Sequence, residues 1–448
     1  MAAGIVGISE EEITVLAREK RFMRRKTRKI APSNFLAALC ALASNGTATY
    51  GALAGKLEIV HGADVSRQAV WKRVGEPCLE FLKAVLGTVL MAVSGVPAII
   101  PTGLLSTFGR VIVADSTTVK LPAKFKTSFP GAGNYFATTA SLKVQCAIDL
   151  LSGTFIHFSM SPYTRNDQSA SVDVLDYVRA GDLVIRDLGY FSISVFRRIA
   201  NAKAFFLSRL KVDVHMYDPK SGRRIDTRKL FKSWNLVDTQ VFLGDTERFP
   251  VRLLGVPVPA SVADKRRRDV KKDTNRITPA PETLRLLSWS ILVTNVPHSA
   301  WTPRAAAFAY RLRWRIEIIF KAWKSFLSLT QTHTAGLVQL LAIMNARMIA
   351  LASVHSMAIK NAETLESAMA AKELSILKVS KFVASNWRDV AELLESPDGV
   401  EKLKRIMAKH CSYDKRRKRV NYPQELENAL KHDLIITSQH LSNKRAIP

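Results

Sequence analysis

The sequence predicts a mixed α/β protein, a central sheet flanked by N-terminal and C-terminal helical regions. Three observations lead there: a helical pattern over residues 9–90, a change after Pro97 and Pro101 to short apolar runs of strand length, and a return to helical periodicity from Pro303 onward. The chain has 448 residues, enough for two or three domains, and its 47% apolar content supplies cores for them. It carries 66 Lys and Arg against 38 Asp and Glu, a formal net charge of +28. Such a field attracts nucleic acid or an anionic membrane surface far more than it stabilises a fold.

The N-terminal region, residues 1–100, is expected to be helical and to bind DNA. Its basic run, residues 18–29, reads either as a solvated helix face or as an arm that tracks phosphates. Residues 49–57 and 66–74 read as two short helices, the second with Ser66 as N-cap. Together they resemble a helix-turn-helix. The stretch between them, 58–65, is longer than the usual turn of about three to four residues, so two readings stay open: a DNA-reading pair using Arg67, Lys72 and Arg73, or plain helical packing.

Strand-like runs follow at 110–114, 141–150, 154–160, 183–186 and 204–210, with helical stretches at 169–179 and 192–201. Three strands in succession, then helix, strand, helix, strand, describe a mixed sheet with hairpins at one end, the order of a ribonuclease H-like core. From about 211 to 288 this rhythm breaks into a β-rich insertion with β-prone pieces at 237–243 and 251–258 and basic clusters at 265–268 and 271–272, a further candidate DNA contact. The core resumes with a strand at 289–295 and a long helix over 303–327, closing a catalytic region of residues 101–330. Residues 331–448 read as a helical C-terminal region with a basic knot at 415–419.

The four cysteines lie far apart and form no Cys-x-x-Cys pair, so neither a zinc site nor a disulfide framework is signalled. The first residues lack the pattern of a secretory signal, and the two longest apolar stretches are interrupted by polar residues, Gly or Pro. A cytoplasmic protein is expected, with nucleic acid as its charge partner and a membrane-surface role as the alternative.

On the helix over 303–327, at about 100° per residue, Tyr310, Arg313, Glu317 and Lys324 fall at roughly 0°, 300°, 340° and 320°, one narrow face. Phe308, Leu312, Ile316, Ile319 and Trp323 fall between roughly 160° and 240°, a separate apolar stripe able to dock on a sheet. Alone, this is a charged helix face with an Arg313–Glu317 ion pair worth a few tenths of a kcal/mol. Two further carboxylates change its meaning: Asp115 in Val113-Ala114-Asp115-Ser116-Thr117 and Asp187 in Arg186-Asp187-Leu188-Gly189-Tyr190 each follow an apolar run and are expected at strand ends. Either alone is commonly a turn or cap residue. Two strand-end aspartates plus a helix glutamate supply hard oxygen ligands suited to Mg²⁺ or Mn²⁺, and two such ions about 3.5 to 4 Å apart support in-line phosphoryl transfer.

The spacing Tyr310-x2-Arg313-x3-Glu317-x6-Lys324, with Asp115 in Asp-Ser-Thr and Asp187 in Asp-Leu-Gly-Tyr, resembles the insertion-sequence-four family of bacterial DDE transposases. The resemblance covers roughly residues 110 to 330 and reaches the N-terminal helices loosely. It implies a ribonuclease H-like catalytic domain with a β-rich insertion, and Asp115, Asp187 and Glu317 as ligands of two Mg²⁺ or Mn²⁺ ions. It further implies cut-and-paste transposition on double-stranded DNA, both element ends and target, by a homodimer in a nucleoid-associated complex. Arg313, Lys324 and Tyr310 would contact phosphates. Family members that form a DNA hairpin hold a flipped base on a tryptophan, for which Trp289 is the candidate, with a core aromatic at a strand start as the other reading. A non-catalytic DNA-binding regulator, or a ribonuclease H-like nuclease or resolvase that does not join strands, are the alternatives. The C-terminal helices are assigned to dimerisation on family analogy alone.

Overall fold

The structure, a computed structural model, describes residues 8–25, 29–44, 46–92, 105, 107–134, 137–152, 155–211, 213–232, 235–272, 279–314, 316–317, 320–321, 324, 336–368, 375–386, 389–390, 393 and 396–412. The basic knot at 415–419 lies outside them. In chain order the elements begin with α1 (Glu10–Glu19), α2 (Pro32–Ser44), α3 (Tyr50–His61), α4 (Arg67–Arg73) and α5 (Glu76–Ala92), then strands β1 (Val111–Leu121), β2 (Pro130–Asn134), β3 (Ala137–Asp149), β4 (Phe155–Pro162) and β5 (Leu183–Arg186). Next come α6 (Ile193–Asn201), β6 (Phe205–Arg209), β7 (Met216–Tyr217), α7 (Thr227–Leu230), β8 (Val237–Leu243), β9 (Phe249–Pro257), α8 (Ala260–Lys272), α9 (Pro281–Leu286) and β10 (Trp289–Thr294). The last helices are α10 (Pro303–Arg311), α11 (Leu337–Ala368), α12 (Ile376–Ser385) and α13 (Gly399–His410).

Among the described residues these elements form two compact units that alternate along the chain: those within Met1–Ile99, Ser116–Arg165 and Arg315–Arg416 make the first, and those within Ile100–Asp115 and Asn166–Trp314 the second. This grouping departs from the expected division at residues 100 and 330. The C-terminal helix α11 belongs with the N-terminal helices, because it packs on α2 and α5.

In the first unit, α1 opens with a capping box in which Ser9 and Glu12 satisfy each other's backbone N–H groups. After it, Phe22 stacks on Phe81 with ring centroids 4.7 Å apart and meets Phe35 at 5.1 Å. Helix α3 is capped by Thr49 and runs to His61, longer than its expected end at residue 57. Gly62 ends it in the left-handed conformation, φ 63°, so that the N–H groups of Gly62 and Ala63 reach the carbonyls of Glu58 and Leu57. Only residues 62–66 then separate α3 from α4, so the connection is shorter than the sequence suggested. In the same unit β3 pairs antiparallel with both β2 and β4 and neighbours β1.

Across α11, Arg347 is buried, 2% exposed, and donates from Nε to the carbonyl of Ala43 at 2.8 Å near the end of α2. A helix leaves its last carbonyls without intrahelical donors, and this guanidinium serves one of them. Burial pushes its pKa down to about 10.

The second unit is built on a sheet in which β1, β5 and β6 are parallel neighbours and β10, β9, β8 and β7 continue antiparallel from β6. Strands β8 and β9, which lie in the stretch expected to be a β-rich insertion, extend the same sheet through β10. One feature of that stretch was not expected: the basic cluster at 265–268 lies on helix α8, where Arg266 donates to the carbonyls of Leu287 and Trp289 and Arg267 to that of Leu284. Side chains alternate across the sheet. On one face Val184, Phe206, Leu253 and Val293 join Val195, Phe196 and Ile199 of α6 in the main core, with Phe196 and Phe206 stacked at 4.5 Å. On the other, Phe205 meets Phe108 at 5.4 Å, and Phe108 meets Trp301 at 5.1 Å. No helix among the described residues is long and apolar enough to cross a membrane.

The Arg347 contact makes a ranked expectation. Arg347→Ala leaves a cavity and takes one of two donors from the Ala43 carbonyl, which keeps the N–H of Gly46, and should cost about 3 kcal/mol in chemical denaturation. Arg347→Met refills the volume without burying a charge and should cost less than half as much. Equal losses for the two would mean that the hydrogen bond, rather than packing, carries the stability.

Candidate active site

The site is built on the register of three parallel strands. Val111 to Ala114 of β1 pair with Leu183 to Arg186 of β5, and the latter with Phe205 to Ser208 of β6. One residue further along each strand stand Asp115, Asp187 and Arg209. They form a row at the C-terminal ends of the parallel ladders, with strands spaced by about 4.8 Å. This is the edge where open α/β sheets bind ligands. By alternation their side chains share the face opposite to Val184 and Phe206.

Asp115 is not at a strand end, as expected, because β1 continues to Leu121; what ends beside it is the pairing with β5. Asp187 does follow the last residue of β5 and leads into a short 3₁₀ turn, Leu188–Tyr190. Gly189 in that turn is approached by a further carboxylate: a Cβ there would lie 3.3 Å from both Cβ and Oδ2 of Asp167. Asp167 sits in a polar loop after β4, where spacing gives no hint of it. Arg209 was also missed, although a basic residue closing an apolar strand is a legible signal.

Helix α10 and the turn that follows it supply the other groups. Thr302 caps it by accepting from the N–H of Ala305, Pro303 takes the first turn, and Ala305, Ala306, Phe308 and Ala309 are buried as it packs on β6, β9 and β10. Tyr310 donates from its hydroxyl to Asp187 Oδ1 at 3.3 Å. Arg313 donates from Nη1 to Asp115 Oδ2 at 3.4 Å and brings Nε to 3.8 Å from Asp187 Oδ1, with 17% of its side chain exposed. One guanidinium thus bridges both aspartates.

The helix expected over 303–327 is not continuous. Regular α-helix ends at Arg311, and the N–H groups of Leu312 and Arg313 turn back to Ala309 and Tyr310, a tighter i to i−3 pattern. The single-face arithmetic therefore fails beyond Arg311, although neither Gly nor Pro marks the break. Glu317 and Lys324 are helical, exposed and members of the first unit, whereas Asp115, Asp187, Tyr310 and Arg313 belong to the second. Among the described residues no three His, Cys, Asp or Glu side chains gather into a group that could hold a metal ion. Within the second unit Asp115 and Asp187 stand together, joined by Arg313.

Trp289 is 4% exposed, lies in the main core and packs on Phe231 with centroids 5.2 Å apart. It is the core aromatic of the two readings, not an open platform. Of the three basic residues assigned to α4, Arg67 and Lys72 are exposed. Arg73 is not: its guanidinium lies over Phe22 at 4.7 Å, and burial lowers its pKa. Arg73 anchors α4 to the core of the unit.

Burial pushes the Tyr310 phenol above its ordinary value, and the Asp187 carboxylate adds to this, while Arg313 and Arg209 oppose it. A raised folded pKa contributes stability that is intact below the ordinary tyrosine value of about 10 and is lost as pH rises through the folded value. Tyr50 and Tyr217 are also raised, so ultraviolet titration should show several late phenols, one of which is missing in Tyr310→Phe. An identical titration curve in that variant, scaled only for the number of tyrosines, would place Tyr310 in solvent instead. Gly189→Ala should disturb the same turn, since Asp167 must give way by a few tenths of an ångström.

Residues 106–352 match the family model described as a transposase DDE domain. The chain is 31% identical over 351 residues to the transposase for insertion sequence element IS231F of Bacillus thuringiensis subsp. israelensis, with 73% of each chain covered. It is 28% identical over 364 residues to the transposase for insertion sequence element IS1151 of Clostridium perfringens, with 76% of each covered. Among solved structures it is similar to a piggyBac transposase synaptic complex with hairpin DNA, at TM-score 0.42 and 11% identity over 92% of this chain and 84% of that one, a likeness too distant to bear on the fold or the site. A family match over more than half of the chain, joined to these relatives and to the Tyr310, Arg313, Glu317 and Lys324 spacing, shows that the protein belongs to the DDE transposases of insertion sequences, in the insertion-sequence-four family.

Proposed function

We propose that the protein performs cut-and-paste transposition: it binds the terminal inverted repeats of its element, cleaves the strands at each end and joins the freed 3′-hydroxyls to target DNA. Asp115, Asp187 and Glu317 are the residues proposed to hold two Mg²⁺ or Mn²⁺ ions, whose bound chemistry would be to polarise the scissile phosphate and lower the pKa of a water. The observation that carries this reading is the register of β1 and β5, which sets Asp115 and Asp187 side by side at the C-terminal edge of parallel strands. Carboxylate oxygens are the donor type such hard cations prefer. A ribonuclease H-like core is proposed on the same ground. Strands β1, β5 and β6 run parallel, and β3 neighbours β1 and forms an antiparallel pair with β4.

The protein's own groups divide the work by chemistry. Arg313 has a planar fork that can pair with phosphate oxygens as it pairs with carboxylates. Tyr310, kept protonated by burial, can donate to an oxygen of the backbone or hold Asp187 in orientation. Lys324 is an exposed point charge, and Arg67 and Lys72 are proposed to contact the element ends from α4. Partners are proposed to be double-stranded DNA and a second copy of the chain, in a bacterial, nucleoid-associated complex.

The test uses purified protein, Mg²⁺ and labelled DNA from the flanks of its own gene, scored for nicking, hairpins and strand joining. Asp187→Asn and Glu317→Gln should fold and bind end DNA while losing cleavage by at least about 10²-fold. Undiminished cleavage by either variant removes that residue from the metal site. Binding without cutting under Mg²⁺ or Mn²⁺ would make the wild-type protein a regulator, and cutting without joining would make it a nuclease.

A further inference from the structure

Arg252 lies in the middle of β9, opposite Gln240 of β8 and Thr294 of β10, and is 3% exposed. Its Nε and Nη2 donate to the two carboxylate oxygens of Asp238 on β8, each at 2.7 Å, a bidentate pair. The same guanidinium donates from Nη1 to the carbonyl of Val296 at 3.2 Å and from Nη2 to that of Trp301 at 2.8 Å. Val296 and Trp301 bracket the loop that leads directly into Thr302, the cap of α10. The Trp301 ring is buried against Phe108, so both the backbone and the side chain of this residue are fixed.

We propose that Arg252 is a positioning residue for the active site, and that strands β8 and β9 serve as a buttress which sets the entry of α10. This rests on the reading that Tyr310 and Arg313 act at the Asp115 and Asp187 pair. The distance from cap to Tyr310 is eight residues, roughly 12 Å of helix, so a tilt of about 10° at the cap would displace Tyr310 by roughly 2 Å. Misplacement by about 1 Å can cost about 10²-fold in rate. An isolated strand position would be served as well by an apolar side chain, because burying a guanidinium costs desolvation that its ion pair barely offsets. What an apolar side chain lacks is the planar fork that ties Asp238 of the sheet to two carbonyls of the loop at once.

The experiment compares wild type, Arg252→Met, Arg252→Lys and Asp238→Asn by hydrogen exchange and by cleavage of end DNA. Arg252→Met takes this donor from Asp238 and from two carbonyls and should lower the melting temperature, and amide exchange over residues 301–311 should speed by about tenfold while β8 and β9 amides stay within about twofold. The cleavage kcat should fall by at least about tenfold with the KM for end DNA unchanged, and Arg252→Lys should recover only part of it. Asp238→Asn keeps the shape of its partner and should give a milder form of the same pattern, which covers the case in which Arg252→Met does not fold. Unchanged exchange over α10, exchange that rises uniformly across the unit, or a wild-type kcat in Arg252→Met would each overturn the proposal. Should the wild-type protein not cleave DNA at all, the transposition reading fails, but the exchange arm still decides whether Arg252 holds α10.

Discussion

The constraint on which the site depends is the register of two short parallel ladders that join three strands. A slip of one residue between β1 and β5 would send Asp115 or Asp187 to the opposite face, because side chains alternate with a period of two. What secures the register is apolar: Val111, Ile112, Val113, Leu183, Val184, Ile185, Phe206 and Leu207 are all fully buried, so a shifted pairing would expose or strand several of them at once. The face on which the acidic pair stands is thus set by the apolar residues of the strands. Arg313, bridging the two carboxylates, then offsets the repulsion that such close placement creates.

Much of this was legible in the sequence. The apolar runs before Asp115 and Asp187, the strand at 289–295 and the start of a helix at Pro303 all obey local rules, and the structure contains them. The parts that were not legible are set by contacts between distant residues. Nothing local announces that β1 runs on to Leu121 past a charged residue, or that the helix after Thr302 tightens at Leu312 without Gly or Pro. That tightening accompanies the reach of Tyr310 and Arg313 toward aspartates more than a hundred residues earlier. Trp289 and Arg73 show the same limit: residue type suits both an exposed role and a packed one, and only Phe231 and Phe22 decide between them.

The large positive charge also has two destinations. Arg252, Arg266, Arg267 and Arg347 spend their donors on backbone carbonyls inside the molecule, as does Arg110, which reaches the carbonyl of Tyr177 at 2.7 Å and the carboxylate of Asp182. Arginine suits this use because its donors diverge in one plane and can serve a carbonyl and a carboxylate together. Net charge therefore overstates the surface field. The steepness with which salt weakens binding to a polyanion will follow the outward cations only.

Because the two units alternate along the chain, their borders do not coincide with any cut of the polymer. The apolar sides of α2 and α5 are completed by α11, which the ribosome makes more than two hundred residues later. Throughout that interval of synthesis the early helices lack their covering partner, so the nascent chain depends on loose collapse or on chaperones until the late helix emerges. The same interleaving means that fragments from either terminus inherit incomplete cores, and that a prematurely stopped messenger yields sticky debris instead of a smaller working module.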